Sequence, residues 1–238
     1  MINQPPHPGW LLFCEAMMHT IIFANGNPPD RATAAPWLAS ADLIVAANGG
    51  SRHALAIDAI PNVVVGDLDS LDEVTRQRLK HAGTRFITYP THKDYTDLEL
   101  AIRLALDRGA TAITILGALG GRWDQSLANL MLLTLPTLEH VSARIVDHQL
   151  SISVVRDRAE ITGRVGDTLS LIALKDDAHG VTIEGCEYPL TDAVLPFGAS
   201  LGISNVLIQS QVTLRVTDGL VLVIHASQTE KEQSHETP

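Results

Sequence analysis

Through its first 147 residues the chain repeats one unit: a short aliphatic and β-branched run, a cluster of glycine or polar residues, then apolar residues at helical spacing. The extended runs are TIIFAN, DLIVAA, NVVVGD, TRFITY, AITILG and ARIVDH. Between them lie SRHALAID, LDEVTRQRLKHAG, TDLELAIRLALDRGA and DQSLANLMLLTL. Strands joined through helices pair in parallel, because each crossover must return to the edge it left, and the helices then cover both faces. The pattern predicts an open parallel, Rossmann-like α/β sheet with helices on both faces. After residue 150 the period changes. QLSISVV, DTLSLIAL, GVTIEG, NVLIQSQVTLRV and LVLVIHA alternate polar and apolar residues between Gly and Asp turns, with no helical stretch among them. That is the signature of an antiparallel all-β sandwich. The expected division is an N-terminal extension over 1–18, an α/β domain over 19–147, a β-sandwich domain over 148–226 and a polar, disordered tail over 227–238.

With 238 residues and 45% hydrophobic composition, the chain can bury a sizeable core. A formal charge of −10 argues against binding nucleic acid through its phosphate backbone, while leaving room for a nucleotide held at a local site. The apolar runs are too short and too interrupted to span a membrane. MINQPPHPGWLLFCEAMM has no basic start, and Glu15 breaks its apolar patch, so it does not read as a signal peptide. Cys14 and Cys186 are far apart and lack metal-ligand spacing, which fits a reducing cytoplasm.

In an open parallel sheet, ligands bind outside the carboxyl ends of the strands. The strands of this half run into NGNPPD, NGGSR, GDLDS, PTHKDYTD and GALGGRWDQ, so nearly every glycine-rich or acidic cluster falls on one edge. In GDLDSLD, Asp67 and Asp69 stand one residue apart at a strand end and can offer oxygens to one hard cation. The plainer account has Asp69 or Ser70 capping a helix that starts at Leu71, which leaves Asp67 unexplained. In HKDYTDLELA, Thr96 and Glu99 have the spacing of a capping box and Asp97 suits the first turn, but Lys93 and Asp94 are not needed for that. GALGGRWDQ opens a helix with a glycine-rich turn that lets backbone N–H groups approach a phosphate, and Arg122 adds a planar donor; the plainer account makes Asp124 a helix cap. ANGGSR allows the same two readings, a glycine turn or close approach of a phosphate or sugar. The histidines show no metal-ligand spacing, and His53, His81, His140 and His179 read as surface residues. With no G-x-S-x-G elbow and no base beside either cysteine, a serine or cysteine hydrolase is not indicated.

NGG, GDLDS, KDYTDLELA and LGGRWDQ, in this order and at these intervals, resemble thiamine pyrophosphokinases, and GCEYPLTDAVLPFGASLGISN continues the likeness into the second half. The resemblance runs from His19 to Ile224. It implies an ATP-binding catalytic α/β domain, a thiamine-binding sandwich, and a cytoplasmic homodimer with active sites between subunits. It also implies magnesium-dependent transfer of a pyrophosphoryl group from ATP to the hydroxyl of thiamine, releasing AMP. By motif, Asp67, Asp69 and Asp97 would hold magnesium, and Asp97, Thr96, Arg122 and Asp124 would be catalytic. Asn48, Gly49, Gly50, Asp94, Gly121 and Gln125 would surround ATP; Tyr188, Ser204 and Asn205 would meet thiamine. The family usually carries Asp-Gly-Gly where this chain has Asn48-Gly49-Gly50; the amide keeps an acceptor and loses the charge.

Three other readings compete. A pyrophosphokinase of another hydroxymethyl heterocycle, such as a pterin, would share the ATP half and differ only between Tyr188 and Asn205. A haloacid-dehalogenase-type phosphatase also opens with strand-Asp-x-Asp, but Leu71 takes the place usually held by Thr or Val. A non-catalytic nucleotide sensor would have no need of Asp67, Asp69, Thr96, Asp97 and Arg122 together.

Overall fold

The computed structural model describes residues 17–69, 71–90 and 94–228. The proposed N-terminal extension (but for Met17 and Met18), Ser70, Lys93 and most of the proposed tail lie outside the described residues. The first half alternates β1 (His19–Phe23), α1 (Arg31–Leu38), β2 (Leu43–Ala47), α2 (Gly50–Ala56), β3 (Val63–Gly66), α3 (Glu73–His81), β4 (Arg85–Thr88), α4 (Asp97–Asp107), β5 (Ala112–Leu116), α5 (Trp123–Leu132) and β6 (Ser142–Asp147). These strands pair in parallel in the order β4-β3-β2-β1-β5-β6. The order reverses between β1 and β5, which places the ligand crevice of such a sheet at their carboxyl ends. One face packs Ile21, Phe23, Val64 and Leu116 with Ala34, Ala54 and Leu79 of α1, α2 and α3. The other packs Ile22, Val45, Ile113 and Ile115 with Leu98, Ile102 and Leu133, on the α4–α5 side.

Helix α1 was not signalled by the sequence, because Pro36 stands inside it. A proline removes one i→i−4 hydrogen bond and usually ends a helix. Here the cap at Asp30, whose carboxylate accepts from Thr33 N–H at 2.7 Å, and the burial of Ala34 hold a short helix around it.

The second half contributes β7 (Leu150–Val155), β8 (Arg158–Thr162), β9 (Thr168–Glu184), β10 (Leu190–Leu195), β11 (Asn205–Val206), β12 (Gln211–Arg215) and β13 (Asp218–Ala226), with no helix among them. β7 pairs antiparallel with β6, so the parallel sheet runs on through β7 and β13 into β9. β9 is the hinge of the sandwich: its first half pairs with β13, its second with β12 and β10. DTLSLIAL and GVTIEG are thus one long strand rather than two, and NVLIQSQVTLRV is divided between β11 and β12. Alternation decides what each face buries. Val221, Val223, Leu169 and Leu171 face the sandwich core, while Leu222 and Leu174 join the core beneath α4 and α5.

Candidate active site

At the end of β3 the chain turns through Gly66, at φ 148°, and Leu68, at φ 62°. A Cβ on Gly66 would stand 3.0 Å from Oδ1 of Asp97 and 2.9 Å from Cβ of Asn48, so glycine is what lets both side chains close on the strand end. Asn48, just after β2, has φ 44°, a left-handed conformation that Asn adopts more readily than most residues. Its Nδ2 donates to Oδ1 of Asp67 at 2.7 Å and to Oδ2 of Asp97 at 3.1 Å. Two carboxylates from separate loops, which would otherwise repel, are therefore bridged by one amide.

Asp69 is exposed on the same loop, with its N–H 3.3 Å from Oδ1 of Asp67. It does not cap the next helix, which begins at Glu73 and is capped by Asp72 through Thr75 N–H at 2.8 Å. Among the described residues, no group of three His, Cys, Asp or Glu side chains is set to ligate a metal. Of the proposed magnesium trio, Asp67 and Asp97 are brought together on Asn48, and Asp69 is exposed on the loop beside them. The donors present, paired carboxylate oxygens at a turn, are of the kind magnesium takes while keeping several waters.

Thr96 caps α4, its hydroxyl accepting from Glu99 N–H at 3.2 Å, as expected. Glu99 instead pairs with Arg103 at 2.8 Å, so one of the box's two bonds is present. This leaves Asp97, in the first helical turn, to face Asn48. Asp94 is exposed and outside the cavity lining.

The opposite wall is the loop between β5 and α5. The β1–α1 loop is stitched to it: Gly26 N–H donates to Gly117 O at 2.7 Å and Asn27 N–H to Leu119 O at 2.6 Å. Ser126 closes on Gly120, accepting from its N–H at 3.0 Å, and Asn129 donates to Ala118 O at 2.6 Å. Arg122 itself occupies the cap position of α5. It pairs with Asp124 through contacts of 2.9 and 2.5 Å. Asp124 is therefore not a cap, and the guanidinium pulls its carboxyl down to about 2.

Between these walls lies a cavity of about 540 Å³ at the β1–β5 reversal. Asn48, Thr96 and Asp97 line one side; Gly121, Arg122 and Gln125 line the other. Nothing lies within 4 Å of where a Cβ on Gly121 would stand, so the turn is open to a ligand. Gly49 and Gly50 are not in the lining, and a Cβ on either would strike Asn25 or the Phe23 carbonyl, so their close approach is to the end of β1. Asn25, Ser126 and Asn129 also line the cavity and were not singled out from the sequence; NGNPPD, coming after β1 as the other loops come after their strands, carried the signal for the first. His53 is half-buried rather than a surface residue. Its Nε2 meets Gly26 O at 3.0 Å, and burial lowers its pKa against that bond.

Tyr188 is 63% exposed, and its backbone is clasped by Asn205: Tyr188 N–H donates to Oδ1 at 3.0 Å and Nδ2 donates to Tyr188 O at 2.7 Å. Ser204 sits at φ 58°, and its N–H donates to Ser170 Oγ at 3.0 Å. None of these three lines the cavity of the α/β half.

Residues 35–146 match the family model for the thiamin pyrophosphokinase catalytic domain, and residues 150–221 match that for the thiamin pyrophosphokinase vitamin B1 binding domain. A thiamine pyrophosphokinase of Bacillus subtilis is 31% identical over 187 residues, spanning 78% of this chain and 87% of the relative. The crystal structure of thiamine pyrophosphokinase from B. subtilis superposes with a TM-score of 0.78 at 29% identity, covering 89% of this chain and all of that one. That of thiamin pyrophosphokinase from Geobacillus thermodenitrificans gives 0.76 at 27% identity, covering 90% and 99%.

Proposed function

The chain belongs to the thiamin pyrophosphokinase family, and from that membership we propose that it transfers the pyrophosphoryl group of ATP to the hydroxyl of thiamine, giving thiamine diphosphate and AMP. One observation carries the reading to this chain's own residues. Across a single cavity, Asn48 and Asp97, with Asp67 behind them on the Asn48 amide, face an arginine and an open glycine turn.

In this transfer the hydroxyl oxygen bonds to the β-phosphorus, the bond from that phosphorus to its bridge with the α-phosphate breaks, and AMP leaves with the bridging oxygen. Such reactions ask mainly for alignment and charge neutralisation. The Arg122 side chain and the N–H groups of Gly121 and Arg122 would receive the polyphosphate. The Arg122–Asp124 pair is exposed, and exposed pairs are weak, so the guanidinium can turn to a phosphate at little loss. A magnesium ion held by Asp67 and Asp97 would neutralise phosphate oxygens across the cavity. Asn48 would keep those two carboxylates in place before ATP arrives.

Tyr188, Ser204 and Asn205 lie outside this cavity, so in this reading the thiamine face comes from the sandwich of a second copy. Exposed apolar side chains support such a dimer: Trp123, Leu127 and Met131 on α5, and Phe197, Leu201 and Ile203 in the sandwich. No helix among the described residues is long and apolar enough to cross a membrane, and a cytoplasmic setting goes with the use of ATP. The test is incubation with Mg-ATP and thiamine, with nucleotides resolved. AMP and thiamine diphosphate in equal amounts are expected. ADP would mean a simple kinase and free phosphate a phosphatase, and either would overturn the reading.

A further inference from the structure

A second and larger cavity, of about 1010 Å³, shares no lining residue with the first. It lies where one face of the long sheet passes from one cover to another. Over β1 and β5 that face is roofed by α1, α2 and α3; over β9 and β13 it is roofed by the second sheet of the sandwich. In between, on β6, β7 and the end of β13, the register sets Arg144 beside Ser153, Val146 beside Ser151, and Ser151 beside His225. Partners across a ladder point to the same side. The uncovered strip is thus polar, and Trp37 of α1 and β8 form its walls.

Arg144 is the unusual member. Its guanidinium carbon lies 5.2 Å from the centroid of the Trp37 ring, and among the described residues its one side-chain hydrogen bond is to Ser142 Oγ at 3.3 Å. Among the described residues no carboxylate pairs with it, and partial burial lowers its pKa with no opposing charge. Several of its neighbours in the lining are engaged: Arg158 with Glu160, His148 with Asp30, His225 with Asp167, and Arg156 with the carbonyls of Leu133 and Leu135; Arg164 and His140 line the cavity as well. A guanidinium taken partly out of water without an anion invites one. The side chains of Ser151 and Ser153 have no hydrogen-bond partner among the described residues and line the same cavity. The cation–π contact with Trp37 holds the guanidinium at the groove wall, and a guanidinium has donors enough to meet two oxygens at once.

We propose that this groove is a second binding site, for a small molecule carrying a phosphate group, which Arg144 receives with the hydroxyls of Ser151 and Ser153. The site is independent of the catalytic assignment, because it uses none of those residues.

Trp37 reports on it directly. In a Trp10→Phe, Trp123→Phe background, Trp37 is the remaining tryptophan. Inorganic phosphate, pyrophosphate and AMP would each be titrated in EDTA, which withholds divalent metal from the carboxylates of the other cavity. A saturable change in Trp37 fluorescence is expected, weakened more than tenfold by Arg144→Met and roughly threefold or more by the Ser151→Ala, Ser153→Ala pair. Stronger binding of AMP than of phosphate would identify a phosphate ester as the occupant; the reverse order would identify the free ion. Four outcomes overturn the proposal: no saturable change, an equal response to sodium chloride at matched ionic strength, unchanged affinity in Arg144→Met, or unchanged affinity in the serine pair should Arg144→Met not fold.

Discussion

At the scale of residues, the decisive group is Asn48, an amide standing between two carboxylates. A carboxylate at 48, the residue the family pattern carries, would replace two donated hydrogen bonds with repulsion toward Asp67 and Asp97. We predict that Asn48→Asp lowers the melting temperature of the metal-free protein. The loss of hydrogen bonds to charged groups is worth about 1.5–3 kcal/mol, at ~2–4 °C per kcal/mol for a chain of this size. Magnesium should recover more of that loss in the variant than it adds to the parent, since a third carboxylate also strengthens a cation site. Calorimetry with and without magnesium measures both, and an identical magnesium response in the two proteins would remove Asn48 from the cation's surroundings. Asp97→Asn should keep the fold and lower kcat on the order of a hundredfold or more, the scale at which removing one preorganised charge acts on a transition state. Wild-type turnover in that variant would leave Asp97 a first-turn helix acid and nothing more. The three loops that meet at Asn48 are visible in the sequence one at a time. That they share one amide is a tertiary fact with no local pattern.

At the scale of elements, the segment carrying Tyr188 is built to present a ring. Asn205 is buried at 5% exposure, and both ends of its amide hold the Tyr188 backbone. Removing it should act on the scaffold and on the ligand together. We expect Asn205→Ala to lose about 1–3 kcal/mol of stability through unpaired backbone groups and to raise the KM for thiamine. Tyr188→Ala should raise that KM roughly threefold to thirtyfold through lost cation–π contact while leaving melting unchanged. A melting loss in Tyr188→Ala, or an equal rise in the KM for ATP, would make the ring a packing residue. A second tie joins the end of β13 to the turn before β9. Asp167 is 1% exposed; burial raises its pKa, but the N–H groups of Arg164 and Gln228 and the His225 ring outweigh that and hold it below the ordinary carboxylate value. A depressed folded pKa means the tie stabilises fully above the unfolded value near ~3.9 and is lost as pH falls below it. The gap in melting temperature between parent and Asp167→Asn should therefore narrow from pH 6 to pH 3, and a constant gap would contradict the ionised tie. Elements with a strong period were legible: the six strands of the first half, four of its five helices, and the change of period after residue 150. What escaped had competing local signals. Pro36 hid α1, the Asp-rich GDLDSLD offered two capping candidates upstream of the true cap Asp72, and Lys175 to His179 read as a break between two strands although β9 continues through them.

For the whole molecule, the arrangement of polar groups leaves the two sets of assigned residues apart within one chain. Of the residues assigned to ATP, Asn48, Gly121 and Gln125 line one cavity together with Thr96, Asp97 and Arg122, while those that the family pattern assigns to thiamine stand on the sandwich, outside it. Alongside that cavity, α5 exposes Trp123, Leu127 and Met131, four residues apart and so on one stripe. An apolar stripe beside Arg122 is stable in water when a partner covers it, and a two-fold dimer would place each sandwich over the other chain's cavity. We predict a particle of twice the chain's 25.6 kDa in sedimentation, and a folded monomer with much reduced thiamine turnover for Leu127→Glu. The sharper test mixes two defective proteins, Asp97→Asn and Tyr188→Ala, under conditions that exchange subunits, and assays them at low thiamine. If each site takes Asp97 from one chain and Tyr188 from the other, half the dimers are mixed and each of those carries one intact site. About a quarter of the parental sites then return, although neither variant alone supplies any. If the two residues serve the same site within one chain, no mixed dimer contains an intact site. Activity then stays at the average of the two variants, even with exchange verified by mass, and the dimer would have to be explained by something other than the reaction.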